Sequence, residues 1–351
     1  MIRTRAICLA LLSAALFGAS TPAAKALLGA LSPWLLAGML YLGSGIGLSA
    51  MLLGRRLLRR EAEEAPIRAA DLPWLAGAVG FGGLIGPVLL MLGLASTAAS
   101  TAALLLNLEG LATMAIAWVV FRENVDRRLL LGAAAILAGA VLLSWNGGAL
   151  GGVPLGAVFV AGACFAWGID NNLTRKISGA DPLQIAAAKG LVAGVVNVAI
   201  GLALGKVGPA PTAFALAAVV GFFGYGVSLI CFILALRHLG TARTGAYFST
   251  APFVGALLSL ALFGDKVTIW LALAAGLMAL GVWLHLTERH AHEHVHEALE
   301  HEHAHVHDAH HQHEHAPDDP VGEPHVHRHR HRPMVHAHAH YPDLHHRHGH
   351  A

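Results

Sequence analysis

A motif written twice sets the tightest limit on what this chain can become. Phe17-Gly18-Ala19-Ser20-Thr21-Pro22-Ala23-Ala24-Lys25, closing at Ser32-Pro33, has a blurred copy about 150 residues later. There the chain reads Trp167-Gly168-Ile169-Asp170-Asn171-Asn172-Leu173-Thr174-Arg175-Lys176, closing at Asp181-Pro182. Each copy opens a train of five apolar segments, so residues 1–286 read as one five-helix unit used twice. An odd number of crossings per unit turns the second copy upside down in a bilayer. Two inverted halves then enclose a cavity near the midplane.

Composition supports a membrane body and adds a second, unlike piece. Of 351 residues, 56% are apolar and 13% charged, where a soluble domain carries about 25% charged residues. Residues 287–351 hold 5 Arg, 11 Asp or Glu and 23 of the 25 His, a formal −6 with His neutral. Residues 1–286 hold 18 basic and 10 acidic residues, a formal +8. The near-neutral total therefore reports no partner; nucleic acid is not expected. Cys8, Cys164 and Cys231 lie in apolar segments without paired spacing, which reads as core packing rather than a disulfide framework or a metal site. The apolar run after Arg3 and Arg5 continues to Leu28 across Lys25, so the first segment reads as an uncleaved helix of the repeat rather than a signal peptide.

A helix needs ~20 mostly apolar residues to cross ~30 Å of hydrocarbon. Ten segments qualify: 6–28, 34–54, 72–94, 97–120, 129–146, 154–174, 183–204, 212–236, 243–263 and 268–286. With the N-terminus inside, the cytoplasmic loops carry Arg55, Arg56, Arg59, Arg60 and Arg68, then Arg122, Arg127 and Arg128. Arg175 with Lys176, then Arg237 with Arg243, follow on the same side, while the outer loops offer little beyond Lys206 and Lys266. This obeys the positive-inside bias and places both termini in the cytoplasm of a bacterial inner-membrane protein. Glycines at four-residue spacing, such as Gly43/Gly47 and Gly82/Gly86, predict close helix contact.

The opening string Phe17-Gly18-x-x-x-Pro22-x-x-Lys25 resembles the drug/metabolite transporter superfamily, EamA type. So does Val119-Val120-Phe121-Arg122-Glu123-Asn124-Val125 running into Leu131-Gly132-Ala133-Ala134-Ala135-Ile136-Leu137-Ala138-Gly139. The second half repeats it as Leu262-Phe263-Gly264-Asp265-Lys266-Val267, then Ala275-Gly276-Leu277-Met278-Ala279-Leu280-Gly281. Asp265 stands where the first half has Glu123. The resemblance implies an all-α integral membrane protein of ten transmembrane helices, in two EamA-like repeats at 1–146 and 147–286. It also implies secondary transport by alternating access. Where that family often carries an Arg in its second helix, this chain reads Ala37-Gly38-Met39-Leu40-Tyr41, and Lys189 in the seventh segment is a candidate for the equivalent place in the second half. The remaining residues, 287–351, form the His-rich tail and lie outside the family pattern.

Ionisable groups within a bilayer cost at least ~2.5 kcal/mol each, so each one in a segment is a candidate. Glu109 is the deepest, about twelve residues or ~18 Å into the fourth segment. It reads as a proton-coupling or cation-binding carboxyl, or as one held for packing. Asn107 is ~200° away round the helix and is not expected on the same wall. Asp170, Asn171 and Asn172 form the densest polar cluster in any segment and read as cavity acceptors or as interhelical ties. Lys189 is placed either to pair with Asp170 or to bind an anion. Lys25 and Arg175-Lys176 lie near opposite faces, where snorkelling also explains them. Pro22 either breaks or kinks the first helix. Tyr247, Ser249 and Thr250, before Pro252, make a weaker polar patch.

In the tail His alternates with other residues at His290, His292, His294 and His296, then at His301, His303, His305 and His307. The alternation resumes at His325, His327, His329 and His331 and at His336, His338 and His340. With Pro, Asp and Glu interleaved and few apolar residues, the tail is expected to be disordered. Imidazole suits Ni, Co, Zn and Cu, so the tail is a candidate metal collector; no cofactor is required otherwise. Formal HExxH matches, at His292 to His296 and His301 to His305, arise from the alternation itself and do not point to a protease. No Walker loop or GxSxG elbow is present, so the chain is not expected to be an enzyme. The reading is secondary transport, with export of a small organic metabolite or drug as the leading form. Divalent-metal transport or tolerance, or a membrane-anchored metal buffer, are the alternatives. Expected partners are the bilayer, the solute, divalent ions on the tail and a second copy in a homodimer.

Overall fold

The computed structural model describes residues 2–58, 65–121, 127–144, 154–206, 210–287, 291–296, 300–305, 325–330 and 334–339. Arg59, Arg60, Arg122, Glu123, His290, His307, His331 and His340 lie outside them, as do the side chains of Arg237, Arg243 and the other tail histidines.

Helices fill the body: α1 (Ile2–Leu27), α2 (Pro33–Leu57), α3 (Leu72–Ala78), α4 (Gly86–Ser96), α5 (Ala99–Leu105), α6 (Leu108–Phe121) and α7 (Arg127–Ser144). The second copy follows as α8 (Leu155–Ile177), α9 (Pro182–Ala203), α10 (Pro211–Gly221), α11 (Ser228–Phe248), α12 (Ala251–Phe263) and α13 (Ile269–Leu286). Matching motifs start matching helices. Ser32 accepts from the Leu35 amide ahead of Pro33, and Asp181 accepts from the Leu183 amide ahead of Pro182. Both are N-caps followed by a proline at the first helical position, where its missing N–H costs nothing. The first helix runs unbroken through Pro22.

The third and fourth segments of each copy are irregular in the same way. A π-helical stretch, Val79–Ile85, joins α3 to α4, and another, Phe222–Val227, joins α10 to α11. The next span breaks in mid-course, at Leu106-Asn107 between α5 and α6 and at Ser249-Thr250 between α11 and α12. At each break one residue bonds twice to the carbonyl three back. The Asn107 amide N–H and side-chain Nδ2 both donate to Leu104 O, at 3.1 and 2.9 Å. The Thr250 amide and Oγ1 both donate to Tyr247 O, at 3.1 and 2.7 Å. Helical hydrogen bonding in α11 also runs through residues 237–242, which the sequence read as a connection.

The two copies interlace. The most extensive contacts run between them: α2 on α9, α7 on α13, α1 on α11 and α12, and α4 and α6 on α8. Neither copy buries its small-residue faces alone. A Cβ on Gly38 would meet Val198 at 2.7 Å, and one on Gly139 would meet the Ala274 carbonyl at 2.9 Å. Such close approach replaces the hydrophobic drive that lipid does not supply between helices. Outward, large apolar side chains such as Val119, Leu131, Leu257 and Val267 stay exposed, as a lipid-facing surface requires.

Nine helical stretches among the described residues are long and apolar enough to cross a membrane. The expected sixth segment is a 23-residue helix, α8, that falls outside that set. Its C-terminal half carries Asp170, Asn171, Asn172, Arg175 and Lys176, and these lower its hydropathy. The tail differs from the expected absence of regular structure. Strands β1 (Ala291–His296) and β4 (Met334–Ala339) pair antiparallel, as do β2 (Glu300–His305) and β3 (His325–Arg330). A strand has a period of two, which is the period of the His-x-His alternation.

Candidate functional site

Four of the candidate residues meet at a cavity of about 60 Å³, with room for a few water molecules. Glu109 comes from α6, Asp170 and Asn171 from α8, and Lys189 from α9. Both copies line it: Phe17, Tyr41 and Glu109 from the first, Trp167, Asp170 and Tyr225 from the second.

The charges are arranged in two groups. Lys189 and Asp170, both buried, form an ion pair. Thr174 Oγ1, one helical turn on, donates to the other oxygen of Asp170 at 3.0 Å. A buried pair of this kind holds only if its remaining lone pairs are also satisfied. Glu109 is 9% exposed, and its Oε1 accepts from Asn171 Nδ2 at 2.9 Å. Asn171 also donates to Thr113 Oγ1 at 3.1 Å, and Thr113 Oγ1 donates back to the Glu109 carbonyl at 2.9 Å. The carboxyl is therefore held by an amide and not by a cation among the described residues. Interhelical bonds of this type hold α6 to α8 where lipid offers no partners.

The π stretch of the first copy explains how the ion pair fits. Opening the helix presents the Gly82 and Gly83 carbonyls sideways. Tyr41 Oη and Trp167 Nε1 donate to Gly82 O at 2.6 and 3.0 Å, and Asn197 Nδ2 donates to Gly83 O at 3.0 Å. Asp170 lies in the space where a Gly82 side chain would be. Small residues at this point are thus required by the carboxylate and not only by helix packing.

Aromatic rings form the rest of the wall. Phe17 sits among Trp167, Tyr225 and Phe248, at centroid distances of 5.7, 5.8 and 5.3 Å. Tyr41 lies 5.3 Å from Tyr225. Phe17 and Trp167 hold matching places in the duplicated motif, so the copies meet at their own corresponding residues. The Tyr225 hydroxyl is buried beside Ser20 and makes no hydrogen bond of ordinary length among the described residues. The sequence reading missed Tyr225, Phe232 and Phe248. A signal was present in Gly221-Phe222-Phe223-Gly224-Tyr225-Gly226, which echoes Gly80-Phe81-Gly82-Gly83.

The other candidates lie elsewhere. Asn172 turns away, donating to Gly168 O at 2.9 Å and Thr113 O at 3.1 Å. Lys25 donates to the Leu94 and Thr97 carbonyls at the end of α4. Thr250 and Tyr247 form the break before α12, and Pro22 lies inside α1. Asp265 caps α5, accepting from the Ser100 amide and hydroxyl at 3.2 and 2.7 Å. Among the described residues no three His, Cys, Asp or Glu stand close enough to hold a metal ion.

Comparison with known proteins matches the same two units. The EamA-like transporter family fits residues 4–145 and again residues 154–287. An uncharacterised transporter of Methanothermobacter thermautotrophicus is 29% identical over 281 residues, covering 76% of this chain and 82% of that protein. A Yersinia enterocolitica protein described as a probable 4-amino-4-deoxy-L-arabinose-phosphoundecaprenol flippase subunit is 35% identical over 72 residues. That match covers 20% of this chain and 56% of the other. One solved crystal structure shares the fold with a TM-score of 0.61 at 20% identity, covering 80% of this chain and 94% of that one.

Proposed function

We propose, from the premise that this chain belongs to the EamA-like transporter family, that it is a multi-pass secondary transporter of a small organic solute. The cavity lined by Glu109, Asp170, Asn171 and Lys189 is then its binding site, reached from alternate sides as the two copies rock against each other. One observation carries this: both copies contribute side chains to one pocket, where charged and amide groups stand among aromatic rings inside the helical body. Intramembrane ionisable groups are costly to keep, and they mark solute or ion paths by default.

The proposed topology is ten crossings, with the second copy inverted and both termini in the cytoplasm. Its support is the pairing of cations with tryptophans near helix ends that the ten-crossing count puts on the cytoplasmic side. Lys176 lies 6.0 Å from the Trp74 ring and Arg128 lies 5.7 Å from that of Trp283, as in the belt at a membrane surface. The same side is clamped in this conformation. Arg55 pairs with Asp181, the Asp181 amide donates to Ala65 O at 2.7 Å, and Ile67 donates to Gln184 Oε1 at 3.4 Å. We read this as the closed inner gate.

The test is accumulation of labelled solutes in membrane vesicles containing the full chain. Glu109→Gln is expected to abolish transport while leaving protein amount unchanged; Asp170→Asn is expected to abolish it too, with a loss of stability because Lys189 is left unpaired. Unchanged transport in both would remove this cavity from the solute path, and no accumulation of any solute by the full chain would point instead to a membrane-anchored metal buffer. A reporter fused after residue 286 is expected to face the cytoplasm, and a periplasmic signal would overturn the topology.

A further inference from the structure

We propose that the cavity takes a small organic cation, an ammonium group on an aromatic or aliphatic body, with the Glu109 carboxylate as its counter-ion and the Tyr225 hydroxyl as a second polar contact. The proposal rests on the transporter reading for its setting and goes beyond it in naming the ligand's charge.

The argument begins with charge. Three ionisable side chains of opposite kinds line the cavity: Glu109, Asp170 and Lys189. Lys189 is already neutralised by Asp170, whose second oxygen is taken by Thr174. Glu109 is left with an amide donor on one oxygen. The lining therefore carries one carboxyl more than it has cations, which matches a ligand of single positive charge. An anion would need Lys189 to leave Asp170, exposing a carboxylate buried against Gly82. A zwitterion would set its own carboxylate beside Glu109 with no free cation to receive it.

The surface agrees with the charge, and a ligand larger than a few waters would enter as the two copies part. The rings of Phe17, Tyr41, Trp167, Tyr225, Phe232 and Phe248 make up nearly half of the lining residues. Aromatic faces attract a desolvated ammonium and accept an apolar body equally well. Such walls suit a metal ion poorly, since it wants several close ligands and no three His, Cys, Asp or Glu among the described residues stand together to supply them. Tyr225 adds the second, independent feature. It is 6% exposed and lies on the cavity wall, and its hydroxyl has only Ser20 beside it, a hydroxyl already donating to Phe17 O, with no bond of ordinary length. Leaving a buried hydroxyl unpaired costs about 1–3 kcal/mol, and a ligand donor or acceptor placed there would remove that cost.

The experiment uses the full chain, purified in detergent, with Trp fluorescence and equilibrium dialysis as readouts. Four probes share one ring and differ in charge: 2-phenylethylamine (cation), phenylalanine (zwitterion), 3-phenylpropionate (anion) and 2-phenylethanol (neutral). The amine is expected to bind at least about tenfold tighter than the other three, the scale of one charge-assisted contact. Glu109→Gln should remove that preference while 2-phenylethanol binding persists, which also shows that the variant is folded. Tyr225→Phe should weaken the amine several-fold and leave the neutral probe alone. Tighter binding of the zwitterion or the anion overturns the proposal, as does a preference for the amine that survives Glu109→Gln. Vesicle uptake separates the two readings. An amine that binds but is not moved removes the transport function and leaves the ligand class standing, whereas uptake of another charge class does the reverse.

Discussion

The two copies share a backbone and divide the chemistry between them. In the first, the π stretch Val79–Ile85 is sealed, with Tyr41, Trp167 and Asn197 donating to its freed carbonyls. In the second, Phe222–Val227, the matching fourth residue is Tyr225 in place of Gly82, and its hydroxyl makes no bond of ordinary length among the described residues. One opened helix serves as a socket, and the other presents a side chain to the cavity. The charged groups are divided in the same lopsided way. By the register of the duplicated motif, Asp170 stands where the first copy has Ser20, and Lys189 where it has Leu40. Glu109 stands where the second copy has Pro252. What recurs in both copies is scaffold: the proline-opened helices, the π stretches and the mid-span breaks. What occurs once is site.

The largest effect should come from the pair that only the second copy has. Lys189→Ala strands Asp170 in the interior, and breaking a buried pair from one side costs about 3–5 kcal/mol. Detergent thermal unfolding should show a large loss or no folded protein at all. Installing the first copy's residues together, Asp170→Ser with Lys189→Leu, should recover most of that stability and no transport. Stability that stays low in the double variant would mean the pair is scaffold after all, and the division drawn above would fail.

Gly82→Ala comes next. Its new Cβ falls on the Asp170 carboxylate, so the carboxylate or the helix must move, at a cost of about 1–3 kcal/mol for an overpacked core. Gly80 lies in the same π stretch with open space around its Cβ, so Gly80→Ala should cost far less. Equal losses at the two positions would show that the helix geometry alone, and not the carboxylate, demands glycine.

The tyrosines divide the copies more finely. Tyr41→Phe removes a donor from Gly82 O and should cost about 1 kcal/mol. Tyr225→Phe removes a hydroxyl with no bond of ordinary length to lose and should leave the unfolding temperature unchanged or slightly raised. A comparable loss at both would mean that the second π stretch is held by its tyrosine just as the first is by its donors.

Much of this was readable in the residues, and the failures have physical causes. The duplication, the helical body and the caps Ser32-Pro33 and Asp181-Pro182 follow from local rules that tertiary context did not override. The Asp170–Lys189 pair was one of two alternatives, and the packing of both α8 and α9 against the π stretch Val79–Ile85 decided it. Neighbouring residues on a helix point about 100° apart, so Asn171 reaches Glu109 while Asn172 bonds back into the backbone. Spacing alone did not say which would do which. Tyr247 and Thr250 looked like a ligand patch because a polar residue in mid-span serves a break as readily as a solute. Tyr225 went unseen because an aromatic residue in an apolar segment reads as ordinary core until the orphaned hydroxyl is located in space.

The smallest effect concerns what lies outside both copies. The family match ends at residue 287, and every cavity residue named here precedes it. Two interlaced copies that already close the cavity between them leave the tail no part in forming it. Truncation after residue 287 should therefore leave solute uptake and unfolding temperature unchanged, while removing 23 of the 25 histidines and with them most Ni-resin retention. A fall in uptake after truncation would show that the tail reaches the clamped face at Arg55 and Asp181. The working part of the molecule would then extend beyond the repeat, and the contrast between its copies would no longer account for the transport cycle.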